Sequence, residues 1–353
     1  RKRLGNIVIG STKDGKPVKA EDIGAAGTMA LLMRTAFLPN LVQTTEGTPA
    51  FIHAGPFANI AHGNSSIIAD RLALSIHDIV VTEAGFGADL GAEKALHIKT
   101  NASGLAPDCI VVNVTVRSMK MHGLGMVGLP NGKDVLDEEN VEMVRHGASA
   151  NLSRHIENMS RFGPDVIVSI NKFPTDSESE ISAIIEIAKD AGAADVALYE
   201  GHSKGGEGAI ELANAVSKAV QRHMAAGRPF NPLFEGNAPV IEKIENIAKS
   251  IYGASGISIK PRAKKQLDKI KDWGYGNLPV CMAKTQYSFS HDPKKYGAPK
   301  DFTLPVREFR LNAGAGFIVA VCGDMMTMPG LPKKPAAEDM DMDKDGNLTG
   351  IFS

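Results

Sequence analysis

Val166-Ile167-Val168-Ser169-Ile170 runs directly into Asn171-Lys172-Phe173-Pro174-Thr175-Asp176, and a helical pattern follows from Glu178 to Ala191. An apolar run without polar alternation reads as a strand covered on both faces. The polar turn with its proline ends that strand, and Asp176 is placed to cap the next helix. Working outward, Ile79-Val80-Val81, Cys109-Ile110-Val111-Val112 and Val196-Ala197-Leu198-Tyr199 repeat the same short apolar signature. Helical stretches at 137–160, 178–191 and 208–224 alternate with the later runs. Strands alternating with helices predict an α/β fold with a parallel sheet.

Toward the N-terminus, residues 4–18 read as a hairpin turning at Asp14-Gly15. A helix is expected from about Asp22 to Phe37, stopped before Pro39. A His-, Gly- and Asn-rich loop runs from Thr44 to Gly63, and Asn64 or Ser65 caps a helix through Ile67, Ile68, Leu72 and Ile76. After Gly227 the texture changes at Arg228-Pro229-Phe230-Asn231-Pro232. Amphipathic helices are expected at 240–252 and 261–273, then short antiparallel strands at 302–309 and 317–321. Boundaries near 120 and 227 divide the chain into 1–120, 121–227 and 228–353.

The 353 residues suffice for two or three cores. A composition 43% hydrophobic and 22% charged excludes a disordered or collagen-like chain. Lys and Arg number 39 against 40 Asp and Glu, so no global field favours nucleic acid or membrane as a partner. No apolar run approaches the ~18 residues of a membrane span. Arg1-Lys2-Arg3 is followed by no apolar signal region. The first residue is not Met, which suits a processed chain or a piece of a longer one. Cys109, Cys281 and Cys322 form no CxxC pair and no zinc spacing, so no metal site is read and a reducing cytoplasm is expected.

Two motifs fail on inspection. Gly10-Ser11-Thr12-Lys13-Asp14-Gly15-Lys16-Pro17 approaches the phosphate loop G-x-x-x-x-G-K-[ST], but Pro17 has neither a hydroxyl for magnesium nor an N–H for phosphate. A hairpin turn is the better reading. Asp341, Asp343, Asp345 and Gly346 imitate a calcium loop, but Phe352 stands where a bidentate Glu is required. An acidic hairpin is expected there.

Four segments carry chemistry. His53-Ala54-Gly55-Pro56-Phe57-Ala58-Asn59-Ile60-Ala61-His62-Gly63-Asn64 leads to a helix start, where backbone N–H groups favour an anion and protonated imidazole could add charge. It reads equally as a polar loop with satisfied histidines. Thr82-Glu83-Ala84-Gly85-Phe86-Gly87-Ala88-Asp89-Leu90-Gly91 follows the 79–81 run directly, and ligands of α/β sheets collect outside the carboxyl ends of strands. Phe86 between two glycines is open to a ligand; the alternative is a tight turn with Phe86 folded inward. Asn171 to Asp176 is a stretched form of the N-K-x-D base-reading turn. His202-Ser203-Lys204-Gly205-Gly206-Glu207-Gly208 opens a helix, either as an anion-compatible turn or as a flexible helix entry.

Taken together, the 53–63 and 82–94 segments, Asn171 to Asp176, Cys281-Met282-Ala283-Lys284-Thr285-Gln286-Tyr287-Ser288 and Met326 to Ala337 resemble formate–tetrahydrofolate ligase, also called 10-formyltetrahydrofolate synthetase. The blocks are long, ordered as in the family, and span essentially the whole chain. The resemblance implies a parallel-sheet, P-loop-NTPase-like core that is incomplete in this chain, a second α/β domain, and a smaller α+β C-terminal domain. It implies ligation of formate to tetrahydrofolate at the expense of ATP, through formyl phosphate, with magnesium on the ATP and a helpful monovalent cation. It also implies a cytoplasmic homotetramer.

By the same resemblance, Phe86 stacks on the pterin, Pro174 lines the pocket, Asp89 and Gly91 lie at its floor, and His53 faces the formyl-phosphate region as a catalytic group. His202 stands where the family has a tryptophan forming the second wall of the slot. The family's phosphate loop and its formyl-phosphate arginine have no counterpart, so the chain resembles the C-terminal two-thirds of such a protein and its nucleotide-binding residues are unknown. The implied alternative is a folate-binding or assembly module without ligase activity.

Overall fold

Two antiparallel hairpins precede the main sheet. In the computed structural model, which describes residues 1–127, 134–325, 334–346 and 348–350, β1 (Val8–Ser11) and β2 (Pro17–Lys19) flank the expected Asp14-Gly15 turn. Gly15 takes φ 87°, which a side chain would resist. The second hairpin, β3 (Asn40–Gln43) and β4 (Pro49–Ile52), replaces the first part of the loop expected from Thr44. Its strands are largely exposed, so no apolar alternation announced them.

Three local expectations are corrected nearby. The 22–37 helix shortens to Ala26–Leu32, because Gly24 at φ 73° turns the chain just before it. Helix Ile67–Ile76 forms, but Ser66 caps it by accepting from the Ala69 N–H at 3.0 Å. Ile79-Val80-Val81 forms no strand among the described residues, and Val81 is 86% exposed. An extended apolar run becomes a strand only when a neighbouring backbone edge takes its N–H and C=O groups.

β5 (Cys109–Val114), β6 (Asp165–Asn171) and β7 (Asp195–Tyr199) form the parallel sheet, with β6 central. Val166 to Ile170 are all fully buried, as their unbroken apolar character predicts. Helix Glu178–Asp190 returns across the sheet. Its cap is Ser177 in a capping box with Glu180, one residue beyond the expected Asp176. Asp176 instead accepts from the Phe173 N–H at 2.8 Å and closes the turn.

The C-terminal part is also partly parallel. β8 (Gly256–Ile259) and β9 (Val280–Ala283) each have four residues. The stretch expected as one strand at 302–309 divides at Arg307 into β10 (Thr303–Val306) and β11 (Glu308–Asn312). β10 runs parallel to β8, while β11 pairs antiparallel with β12 (Phe317–Val321), which is itself parallel to β9. Helices Val240–Ile247 and Pro261–Asp272 fall where the periodicity puts them. Asp341–Met342 pairs antiparallel with 348–349, the expected acidic hairpin. Phe352 and residues 326–333 lie outside the described residues. Among the described residues, no helix is long and apolar enough to cross a membrane.

One apolar cluster runs from Leu96 through Val168 and Ile244 to Cys322, crossing both positions at which the sequence suggests boundaries. Helices Val116–Val127 and Val141–Gly147 pack with backbones in near contact, since a Cβ on Gly147 would meet the Met119 carbonyl oxygen at 1.9 Å. Gly147→Ala is expected to cost about 1–3 kcal/mol in urea unfolding. Gly10→Ala, with open space around it, should stay within about 0.5 kcal/mol.

Candidate functional site

The Gly85-to-Gly91 turn is built by close backbone approach. A Cβ on Gly91 would lie 1.7 Å from the Gly85 carbonyl oxygen, so only glycine lets the chain fold back on itself here. Gly91 therefore packs the turn from beneath and lines none of the cavities around it. Phe86 adopts φ 64°, a conformation that L-residues rarely take, and remains 43% exposed. Its ring meets Phe57 edge-on at 5.5 Å. The inward-folded alternative is thereby excluded. The following residues, Ala88–Ala92 and Ala95–Lys99, form π-helical turns, a widening often found at functional sites.

The 53–64 loop is stitched to this turn from three sides. The Lys94 ammonium, fully buried, donates to the Ala58 carbonyl. The Asn64 amide donates to the Glu83 carbonyl, and the Gly85 N–H donates to Gly63 O at 3.0 Å. His53 is buried with both ring nitrogens engaged: Nδ1 with Ser66 Oγ at 2.6 Å and Nε2 with Ala36 O at 2.9 Å. It lines a cavity of about 500 Å³ together with Phe86. Burial and the Lys99 and Lys94 ammonium groups push His62 below the usual imidazole range. The protonated loop imidazole expected from the sequence is therefore not favoured at His62.

A second cavity, of about 1070 Å³, is also bordered by Phe86. The edge strand β5 lines it along its length. Glu83, Asp89, His122, His155 and Lys294 are among its titratable groups. Asp89 is almost fully buried and accepts from the Lys284 ammonium at 2.6 Å. Lys284, at zero exposure, also donates to the Thr285 carbonyl at 3.1 Å and to that of Ser288, and lies over the Tyr252 ring. Burial pulls its pKa below the usual lysine value while Asp89 opposes the fall. His122 accepts from the Gly297 N–H, and burial pushes it down to about 4. Burial lowers His155 as well. The lining thus combines two imidazoles that are neutral at neutral pH, the Asp89 partner of buried Lys284, the side chains of Glu83 and Lys294, and an exposed aromatic ring.

Pro174 and His202 are placed at the carboxyl ends of β6 and β7, both exposed. Neither lines the two cavities that Phe86 borders. The His202 turn is joined to the β3–β4 hairpin through Glu46, which accepts from the Gly206 N–H at 2.9 Å. Sequence reasoning missed Lys284, His122 and His155. The available signal for Lys284 was a lysine ending the otherwise apolar run Val280 to Ala283.

Removing one partner of a buried ion pair strands the other charge, at about 3–5 kcal/mol. Lys284→Met is expected to lose that much in urea unfolding, and the double variant with Asp89→Asn to be more stable than Lys284→Met alone. A double variant no more stable than the single one would show that the pairing is not what the lysine contributes.

Comparison with known proteins bears on this geometry. A family model described as "Formate--tetrahydrofolate ligase" matches residues 1–352. The chain is 50% identical over 353 residues to the formate–tetrahydrofolate ligase of Symbiobacterium thermophilum and 49% identical over 352 to that of Granulibacter bethesdensis. It is 48% identical over 359 aligned residues to a mitochondrial monofunctional C1-tetrahydrofolate synthase of Mus musculus. All of this chain is covered in these three comparisons, against 61%, 60% and 36% of the respective relatives. The chain thus spans about three-fifths of the length of the ligases it matches. With a family model spanning nearly every residue and half of all positions shared with those ligases, the chain belongs to the formate–tetrahydrofolate ligase family.

Proposed function

We propose that this chain provides the folate-binding part of a protein that ligates formate to tetrahydrofolate with ATP, giving 10-formyltetrahydrofolate, ADP and phosphate through formyl phosphate. The observation that carries the reading is Phe86: a strained, exposed ring over a 1070 Å³ cavity within a family-specific turn. Holding an aromatic side chain outward at positive φ costs stability, and such strain clusters at ligand clamps. A pterin stacked on Phe86 would present its polar edge toward Asp89. Pro174 and His202, at the carboxyl ends of β6 and β7, would close the slot only around a ligand that reaches beyond the cavities Phe86 borders. His53 would hold its loop in place beside the reacting region through its two hydrogen bonds. A P-loop-NTPase-like arrangement, a tetrameric assembly, a cytoplasmic setting and a monovalent cation complete the reading by family likeness.

The Gly10–Pro17 hairpin does not fit the phosphates of magnesium-bound ATP. Its Lys16 N–H is taken by Thr12 Oγ1 at 3.0 Å, and Pro17 offers no donor. No phosphoryl step is assigned to these residues. A second reading, a folate-binding or assembly module without ligase activity, is favoured by one observation: the 353 residues contain no G-x-x-x-x-G-K-[ST]. Formate-dependent ATP turnover separates the two. The 353-residue chain alone is expected to show none; turnover by it would place the phosphate site among these residues.

Phe86→Ala removes an aromatic stacking surface worth about 0.5–1.5 kcal/mol beyond its apolar burial. It also removes part of the roughly 1.5–3 kcal/mol gained by burying such a ring under a ligand. In the complete protein the folate KM should rise at least about tenfold, since ~1.4 kcal/mol is tenfold, with the ATP KM little changed. A fall in Tm with unaltered folate KM would instead assign Phe86 to packing.

A further inference from the structure

Strand β5 presents an edge that nothing in its own sequence protects. It lies at one side of the three-stranded sheet, paired with β6 from Cys109 to Val114 without a register shift. Among the described residues, no strand takes its other edge. Exposed edges are normally blunted by charge, proline or a bulge, because their open N–H and C=O groups template further pairing. Cys109-Ile110-Val111-Val112-Asn113-Val114 carries neither charge nor proline. Val112 and Val114 face the core, whereas Val111 is 42% exposed.

The open edge coincides with the 1070 Å³ cavity, which all six residues of β5 line. Side chains of a strand alternate between its two faces, so a cavity that touches every residue runs along the edge. Thr82, Glu83 and Ala84 line the same cavity. They follow Ile79-Val80-Val81, the other run with a strand's composition and no strand partner. Ile79 is 63% exposed, and Ile52 and Val81 stand open in the 500 Å³ cavity, which shares Thr82 and Glu83 with the larger one. A strand rises ~3.3 Å per residue, sits ~4.8 Å from its neighbour and fills a layer ~10 Å thick, so four residues occupy about 630 Å³. The larger cavity takes that volume and keeps space beside Phe86.

We propose that this cavity seats a β-strand supplied from outside the 353 residues, an apolar extended segment hydrogen-bonded along the free edge of β5 and bordered by residues 79–84. The segment comes from the two-fifths of the related ligases' length that lies outside the match. Main-chain hydrogen bonds give strand addition of this kind its affinity. A second copy of the chain fits the slot poorly, because the β5 it would offer runs along an identical recess. The inference rests on family membership and not on the folate reading, and it is tested without folate, formate or ATP.

The probe is the part of the 50%-identical ligase that lies outside the match, co-expressed with the 353-residue chain as a separate polypeptide. A one-to-one complex is expected by light scattering. Within it, amides of 79–83 and of 109–114 should exchange at least about tenfold more slowly than in the chain alone. Val111→Asp changes a side chain that is already exposed and should leave the Tm of the chain alone little altered. It should weaken the complex at least about tenfold, by setting an unpaired carboxylate against the incoming segment. Should that variant fail to fold, the exchange of the unaltered chain decides. The proposal is overturned if no complex forms at micromolar concentration, or if one forms with exchange at 109–114 unchanged or with Val111→Asp binding undiminished. A chain that self-associates with protection at 109–114 would give the edge to a second copy and overturn it equally.

Discussion

The pairing of Lys284 with Asp89 is the constraint around which the site is assembled. An ammonium group moved from water into a protein interior loses several kcal/mol of solvation even after relaxation. Lys284 recovers this through one carboxylate, two backbone carbonyls and the face of Tyr252. Those partners come from three separate parts of the chain: the turn at 85–91, the segment after β9, and the π-helical turn Ala248–Tyr252. None can shift alone without uncovering a charge. The ion pair thus fixes where the base of Phe86's turn sits relative to the C-terminal sheet.

A second buried cation extends the same logic to the other side of the turn. Lys94 reaches the Ala58 carbonyl in the 53–64 loop, and Cys281 on β9 packs its sulfur 3.6 Å from the Ala61 carbonyl. The loop carrying Phe57 and His53 is thereby held against the same elements that carry Asp89 and Lys284. Phe86 borders both cavities, and the loop and the turn that line them are each anchored by a buried lysine. A loop of this length ordinarily moves on its own; here its carbonyls are committed to side chains in the interior.

Local pattern made much of this legible in the sequence. The run 166–170, the β1–β2 hairpin and the helices at 178–190, 240–247 and 261–272 follow from periodicity and turn chemistry alone. Phe86 is exposed in its glycine-flanked turn, although the strand expected to precede it does not form. What escaped depends on partners distant along the chain. β8 finds its parallel neighbour β10 some forty-seven residues later, Gly256 opposite Thr303, and four-residue strands carry too little pattern to announce that. Ile79-Val80-Val81 has a strand's composition without a strand's neighbour. Asp176 and Ser177 are both good caps, and the choice fell to Ser177 because Glu180 completes its capping box. The buried lysines were illegible because a lysine is ordinarily a surface residue, and only the assembled fold supplies their acceptors.

The cysteines allow a practical conclusion. All three are withdrawn from solvent enough for burial to raise their pKa: Cys109 and Cys281 to about 11 and Cys322 to about 12. Since the thiolate is the reactive form, at neutral pH only about one thiol in ten thousand at Cys109 or Cys281 is ready to attack, and fewer at Cys322. The folded chain therefore has an almost silent thiol background. A cysteine introduced at an exposed position such as Thr175 would be the one that alkylating dyes find, so fluorescent or spin labels could be placed beside the crest of strand ends without first removing the native sulfurs.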